Sequence, residues 1–100
     1  MTSGRPVTTE DGRFVVISGR RWRATDPAIP PDVAAELRRA LMAGRRAVGA
    51  ALRAGQDPAP ARARVHAAKV ALGERGVPWW EQTDEERRRR WQRGPDEAPE

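Results

Sequence analysis

Leu52-Arg53-Ala54-Gly55-Gln56-Asp57-Pro58-Ala59-Pro60-Ala61 interrupts two long stretches of helical periodicity, and the reading of this break decides the fold. Gly55 accepts the left-handed backbone that ends helices. Asp57 suits an N-cap, because its carboxylate can accept from an orphan N–H. Pro58 suits a first helical position, where an N–H has no partner to lose. So short a link turns the chain back on itself, which predicts an antiparallel αα-hairpin.

Upstream of the break, a helix is predicted from Pro31 to Ala54. At 100° per residue, Val33, Leu37, Leu41, Gly44, Val48, Ala51 and Leu52 fall in one stripe about 100° wide, the expected core face. Arg38, Arg39, Arg45, Arg46 and Arg53 occupy an adjoining arc of about 120° together with Met42. The remaining side carries Ala43, Ala47 and Ala50. Downstream, a second helix is predicted from Pro58 to Glu74, with Gly76 as its stop and Ala61, Val65, Ala68 and Leu72 as its stripe. The two helices differ in length, about 36 Å against about 24 Å. The longer one overhangs, and its smooth alanine side permits a two-fold homodimer.

Outward again, Arg13 to Thr25 reads as a β-hairpin. Phe14-Val15-Val16-Ile17 is β-branched and aromatic, Ser18-Gly19 suits a two-residue turn, and the return strand alternates. Trp22 and Ala24 fall on one face and Arg21, Arg23 and Thr25 on the other. An isolated hairpin is marginal in water, so it must pack on the helices. The expected mini-core joining them is Trp22 with one of Trp79 and Trp80, because the chain has few other large side chains. Asp26, Asp32 and Asp57 adjoin prolines at helix entrances and read as caps. At the other end, Thr83-Asp84-Glu85-Glu86 is a capping box that starts a short helix from residue 84 to 93. Its Arg87-Arg88-Arg89-Arg90 run has two readings. One is a nucleic-acid patch. The other is an exposed helix stabilised by Asp84, Glu85 and Glu86, four residues before Arg88, Arg89 and Arg90.

The predicted architecture is α+β: an N-terminal β-hairpin packed on a long antiparallel αα-hairpin, plus a short C-terminal helix. A single domain spans 12–93. The polar segments 1–11 and 94–100 are expected to be disordered tails.

Composition narrows the function classes. Of 100 residues, 38% are apolar, but seventeen of these are alanine, so a large internal pocket is not expected. The chain has no cysteine, no tyrosine and one histidine, which leaves no disulfide, no thiol nucleophile and little metal-binding chemistry. No nucleophile–base pair or phosphate-cradling glycine loop stands out. No enzyme activity, cofactor or metal is therefore expected. No apolar run reaches the roughly 18 residues needed to span a bilayer. Met1 to Gly12 lacks the apolar core of a signal peptide, so the expected location is the cytoplasm.

Charge is the strongest compositional signal. Nineteen Lys/Arg against fourteen Asp/Glu give +5, and the stretch from Gly12 to Arg93 alone carries +9. Such a basic domain suits a polyanionic partner, DNA, RNA or an acidic membrane surface, the last disfavoured because the arginine face adjoins alanines instead of bulky apolar residues; arginine- and alanine-rich coding bias gives a similar balance. The leading expectation is sequence-nonspecific nucleic-acid binding by Arg20, Arg21 and Arg23 with Arg38, Arg39, Arg45, Arg46 and Arg53. Nothing resembles a helix-turn-helix that would read bases. The alternative is a protein–protein adaptor whose anchors are Trp79, Trp80 and Trp91.

Two segments also carry a family resemblance. Gly12 to Asp26-Pro27 followed by Ile29-Pro30, and Ala68 to Gly76 with Pro78-Trp79-Trp80, resemble the opening and closing segments of a group of small uncharacterised bacterial proteins. Members are sometimes labelled "biopolymer transporter Tol". The resemblance covers most of Gly12 to Glu81. It implies a compact bacterial domain, and it carries no residue-level activity.

Overall fold

The computed structural model describes residues 6–94. Its elements run β1 (Val7–Thr8), β2 (Phe14–Ile17), β3 (Arg20–Arg23), α1 (Pro31–Arg53), α2 (Ala59–Ala71), a 3-10 turn (Trp79–Glu81) and α3 (Asp84–Arg93). This is an α+β architecture: an antiparallel sheet in the order β1-β2-β3, then two helices packed together, then a short helix.

The sheet has one strand more than the sequence reading predicts. Val7 pairs with Val16 and Thr8 with Val15, so the expected loose segment 1–11 contains a strand. A side-chain-stitched turn brings it back. The Thr9 hydroxyl donates to Asp11 (2.7 Å) and accepts from the Phe14 N–H (3.1 Å), while the Asp11 carboxylate accepts from the Arg13 N–H (3.1 Å). The Asp11-Gly12 pair was the legible signal for this turn. The rest of the expected tails, 1–5 and 95–100, lies outside the described residues. The second turn is the predicted one. Ser18 and Gly19 both take positive φ, the pairing that matches strand twist in a two-residue hairpin loop.

Both long helices end in the same motif. At the end of α1, Gly55 N–H bonds the Leu52 carbonyl and Gln56 N–H the Ala51 carbonyl. At the end of α2, Gly73 N–H bonds Val70 and Glu74 N–H bonds Lys69. A left-handed glycine one residue past the cap makes each closure. The second helix therefore stops at Ala71, short of the predicted Glu74, because Gly73 and not Gly76 ends it. At its start, the Asp57 carboxylate accepts from the Ala59 N–H as an entrance cap would.

The core lies between the helices: Ile29, Ala34, Leu37, Leu41, Ala68, Ala71 and Leu72, with Val33, Val65 and Trp91 packed against it. Gly44 marks the close approach of α1 to α2. A methyl group there would stand 3.0 Å from Val65 Cγ2. The apolar stripe of α1 outruns its partner, so Leu52 at the overhang is 56% exposed.

The base of the sheet ties it to the helices. Asp26 N–H bonds the Leu72 carbonyl (3.0 Å), and the Thr25 hydroxyl donates to Glu74 (2.7 Å). Trp79 is 8% exposed, and its indole N–H donates to the Ala24 carbonyl (3.0 Å). Trp80 meets Phe14 edge-on at 5.5 Å. Trp22, expected in this junction, is 42% exposed and lies outside it.

Candidate nucleic-acid interface

Strand pairing sorts the hairpin arginines. Residues directly opposite in an antiparallel pair share a face. Phe14 faces Arg23 and Val16 faces Arg21, which sets those four on one side of the sheet. Val15 opposite Trp22 and Ile17 opposite Arg20 occupy the other side. The pleat thus separates Arg20 from Arg21 and Arg23.

On the Arg20 side, cations from two elements lie on one indole, and a cation from a third lines the groove beside it. The Arg20 guanidinium lies 4.6 Å from the Trp22 ring centroid, and the Lys69 ammonium of α2 lies 5.6 Å from it. Arg45 of α1 lines the same shallow groove, about 300 Å³, with Ile17, Trp22, Arg23, Lys69 and Glu74. Next to it, Arg45 also borders Arg62 and Arg75 around Val48 and Val65. The local electrostatics register this crowding. Burial and then the Arg75 charge push the Lys69 ammonium below its usual value; Glu74 opposes the shift and Arg45 adds to it. Ion pairs among the described residues involve only Arg87, Arg89 and Arg90 as cations, so the cluster of Arg20, Arg45, Lys69 and Arg75 has no such balance.

The eight predicted arginines do not form one face. Arg20 and Arg45 border Trp22. Arg21 covers Phe14 at 4.3 Å on the opposite side of the sheet. Arg23 donates to the Gly76 carbonyl (2.8 Å) and lies 5.8 Å from Trp80, so it fastens the sheet to the loop after α2. Arg38, Arg39, Arg46 and Arg53 are exposed along α1. Helical phase puts Arg38 in line with Arg45, and turns Arg39, Arg46 and Arg53 away from the core stripe. Lys69 belongs to the cluster although sequence reasoning left it out. Its signal was its place on α2 one residue past Ala68, at the margin of the apolar stripe.

The three tryptophans expected as interaction anchors do not form an exposed surface. Trp79 is buried beneath its hydrogen bond to Ala24. Trp80 is partly covered by Phe14 and by the Arg13 guanidinium at 4.9 Å. Trp91 is partly buried against the helical core, beside Val33 and Leu37.

Asp26 supplies the larger surprise. Read as a cap, it does accept from the Ala28 N–H (2.8 Å), but it is only 1% exposed and holds two arginines of α3. Arg87 engages both carboxylate oxygens, its Nε at 3.0 Å, and Arg90 pairs with Oδ2. Arg90, itself buried, also donates to the Ala71 carbonyl (3.2 Å) and to Gln82 Oε1. Burial pushes the Asp26 carboxyl up, and the hydrogen bonds from Arg87, Arg90 and Ala28 outweigh it, leaving the group below its usual value. The four-arginine run is therefore split. Arg87 and Arg90 point inward, and only Arg89 meets its expected acid, Glu85, at 4.0 Å. Glu86 instead closes the capping box on the Thr83 N–H (2.8 Å).

Among the described residues, no group of three or more His, Cys, Asp or Glu is placed to hold a metal ion. No described helix is long and apolar enough to cross a membrane. No protein-family model, curated protein or solved structure matches the chain.

Proposed function

We propose that the protein is a cytoplasmic binding protein, not an enzyme, and that it binds nucleic acid without sequence preference through phosphate contacts around Trp22. The observation that carries this reading is an exposed indole that holds Arg20 and Lys69 on its ring, with Arg45 lining the groove beside it and no carboxylate of the described residues in an ion pair with any of the three. Crowded cations with a single acid, Glu74, in their groove hold repulsive energy that a polyanion relieves, and phosphates do so while releasing their own counterions. The long-helix arginines, exposed and on the same chain, extend the positive field without defining the site. The adaptor reading loses support, because its three anchor tryptophans are buried or partly covered and serve the interior.

Fluorescence anisotropy of labelled 20-mers of random-sequence DNA and RNA, titrated at 50 and 200 mM salt, tests the proposal. Three phosphate contacts imply a slope of log K against log salt of about −2.7 on duplex DNA and about −2.1 on a single strand, a loss of about 40-fold or about 18-fold between those two concentrations. The Arg20→Ala/Arg45→Ala/Lys69→Ala protein should lose most of that binding and most of the slope. Absence of binding at 50 mM overturns the reading.

A further inference from the structure

The site's geometry bears on which form of nucleic acid fits it. We infer that the preferred ligand is single-stranded, with one base stacked on Trp22 and the flanking phosphates held by Arg20, Arg45 and Lys69. The inference rests on the nucleic-acid reading above and names its substrate class.

Four observations carry it. Trp22 is 42% exposed on a sheet face, although an indole is the side chain with most to gain from burial. Its ring is already used as a platform for flat or compact cations, Arg20 at 4.6 Å and Lys69 at 5.6 Å. A nucleobase fits the same π surface, and the displaced guanidinium stays within reach of the neighbouring phosphate. The groove beside the ring is lined by Ile17, itself 37% exposed, and by cations from two helices, Arg45 and Lys69. That mix of apolar and cationic lining suits a base and its backbone together. Glu74, the one acid in the groove, is engaged by the Thr25 hydroxyl at its margin. A duplex keeps its bases stacked inside and offers only phosphates, so it uses the cations and leaves the indole unused.

Three probes of equal length separate the contributions: a 12-nucleotide thymidine strand, the same strand with abasic sites replacing alternate bases, and a 12-base-pair duplex. Binding is read by anisotropy at 50 mM salt. The intact strand should bind more tightly than both others. Trp22→Ala should weaken the intact strand by about 5- to 150-fold, the range for one lost stacking partner, while leaving the duplex and the salt slope unchanged. Trp22→Phe should restore much of the loss. Among the described residues Trp22 makes no hydrogen bond through its indole, and it lies outside the core, so circular dichroism melting of both variants should match the parent. Equal affinity for strand and duplex, with no effect of Trp22→Ala, overturns the single-strand inference and leaves the phosphate-binding reading standing. Failure of all three probes to bind removes both.

Discussion

Arginine occupies two different settings in this chain, and the contrast between Asp26 and Trp22 shows how. Around Asp26, two guanidiniums from α3 are folded inward on one buried carboxylate. Every donor direction that matters is answered: Asp26, Gln82 and the Ala71 carbonyl surround Arg90. No buried side-chain nitrogen or oxygen of the described residues lacks a partner. Around Trp22, the cations lie at the surface, on an aromatic ring, with no acid paired to them. The buried set specifies where α3 docks. The exposed set makes no ion pair among the described residues, and solvent screens its charges. The tryptophans repeat the contrast. Trp79 spends its N–H on the Ala24 carbonyl and is covered, while Trp22 remains open.

The largest test of this contrast is Asp26→Ala. It leaves Arg90 buried without its carboxylate, and removing one member of a buried pair costs about 3–5 kcal/mol. Urea unfolding should show a midpoint shifted far down or a lost transition. Arg45→Ala, from the exposed set, should stay within about 0.5 kcal/mol of the parent. If both changes cost the same, the two sets of arginines do not differ in role.

Next in size is Gly73→Ala. The position has φ of 83°, and the added methyl would stand 3.0 Å from Asp26 Cβ, 3.2 Å from Trp79 Cδ1 and 3.3 Å from an Arg90 nitrogen. Left-handed strain and this crowding together should cost about 2–4 kcal/mol by thermal or urea unfolding. Gly55→Ala shares the positive φ but meets nothing within 4 Å, so it should cost only about 1 kcal/mol. The difference between the two measures the tightness of the Asp26 junction.

Acid unfolding sharpens the same point. The folded Asp26 carboxyl lies below its ordinary value of 3.8, so the stability it lends is complete above that value and is lost as pH falls through the lowered folded value. Stability measured from pH 6 downward should therefore fall at the acid end. Asp26→Asn should remove that portion of the slope. An unchanged acid slope in the variant would show that other carboxylates carry it.

The smallest effect separates the tryptophans. Trp79→Phe keeps most of the apolar surface but orphans the Ala24 carbonyl, at a cost of about 1–3 kcal/mol. Trp22→Phe should change stability by less than about 0.5 kcal/mol. Paired urea titrations of the two variants read this directly.

What the sequence determined by itself is local. The Gly55–Asp57-Pro58 break, the apolar stripes of both long helices, the Ser18-Gly19 turn and the Thr83–Glu86 capping box all follow from backbone preferences and a period of 3.6 or 2 residues. These features need only near neighbours, so the architecture was legible. The partner choices of charged and aromatic side chains were not. Asp26 looks like a cap because Ala28 is two residues away, yet Arg87 and Arg90 reach it from 61 and 64 residues on. Trp22 and Trp79 are the same residue type with similar apolar payload, and only the docking of the 3-10 turn under Ala24 decides which one is buried. The predicted arginine face dissolved for a like reason. The pleat of the sheet and the approach of α2, not spacing along the chain, set Arg20 beside Lys69 on Trp22, turned Arg21 onto Phe14 on the other side, and left Arg23 reaching both Trp80 and the groove that Arg45 lines. Long-range electrostatic pairing depends on where backbones cross, and that crossing is a property of the folded whole.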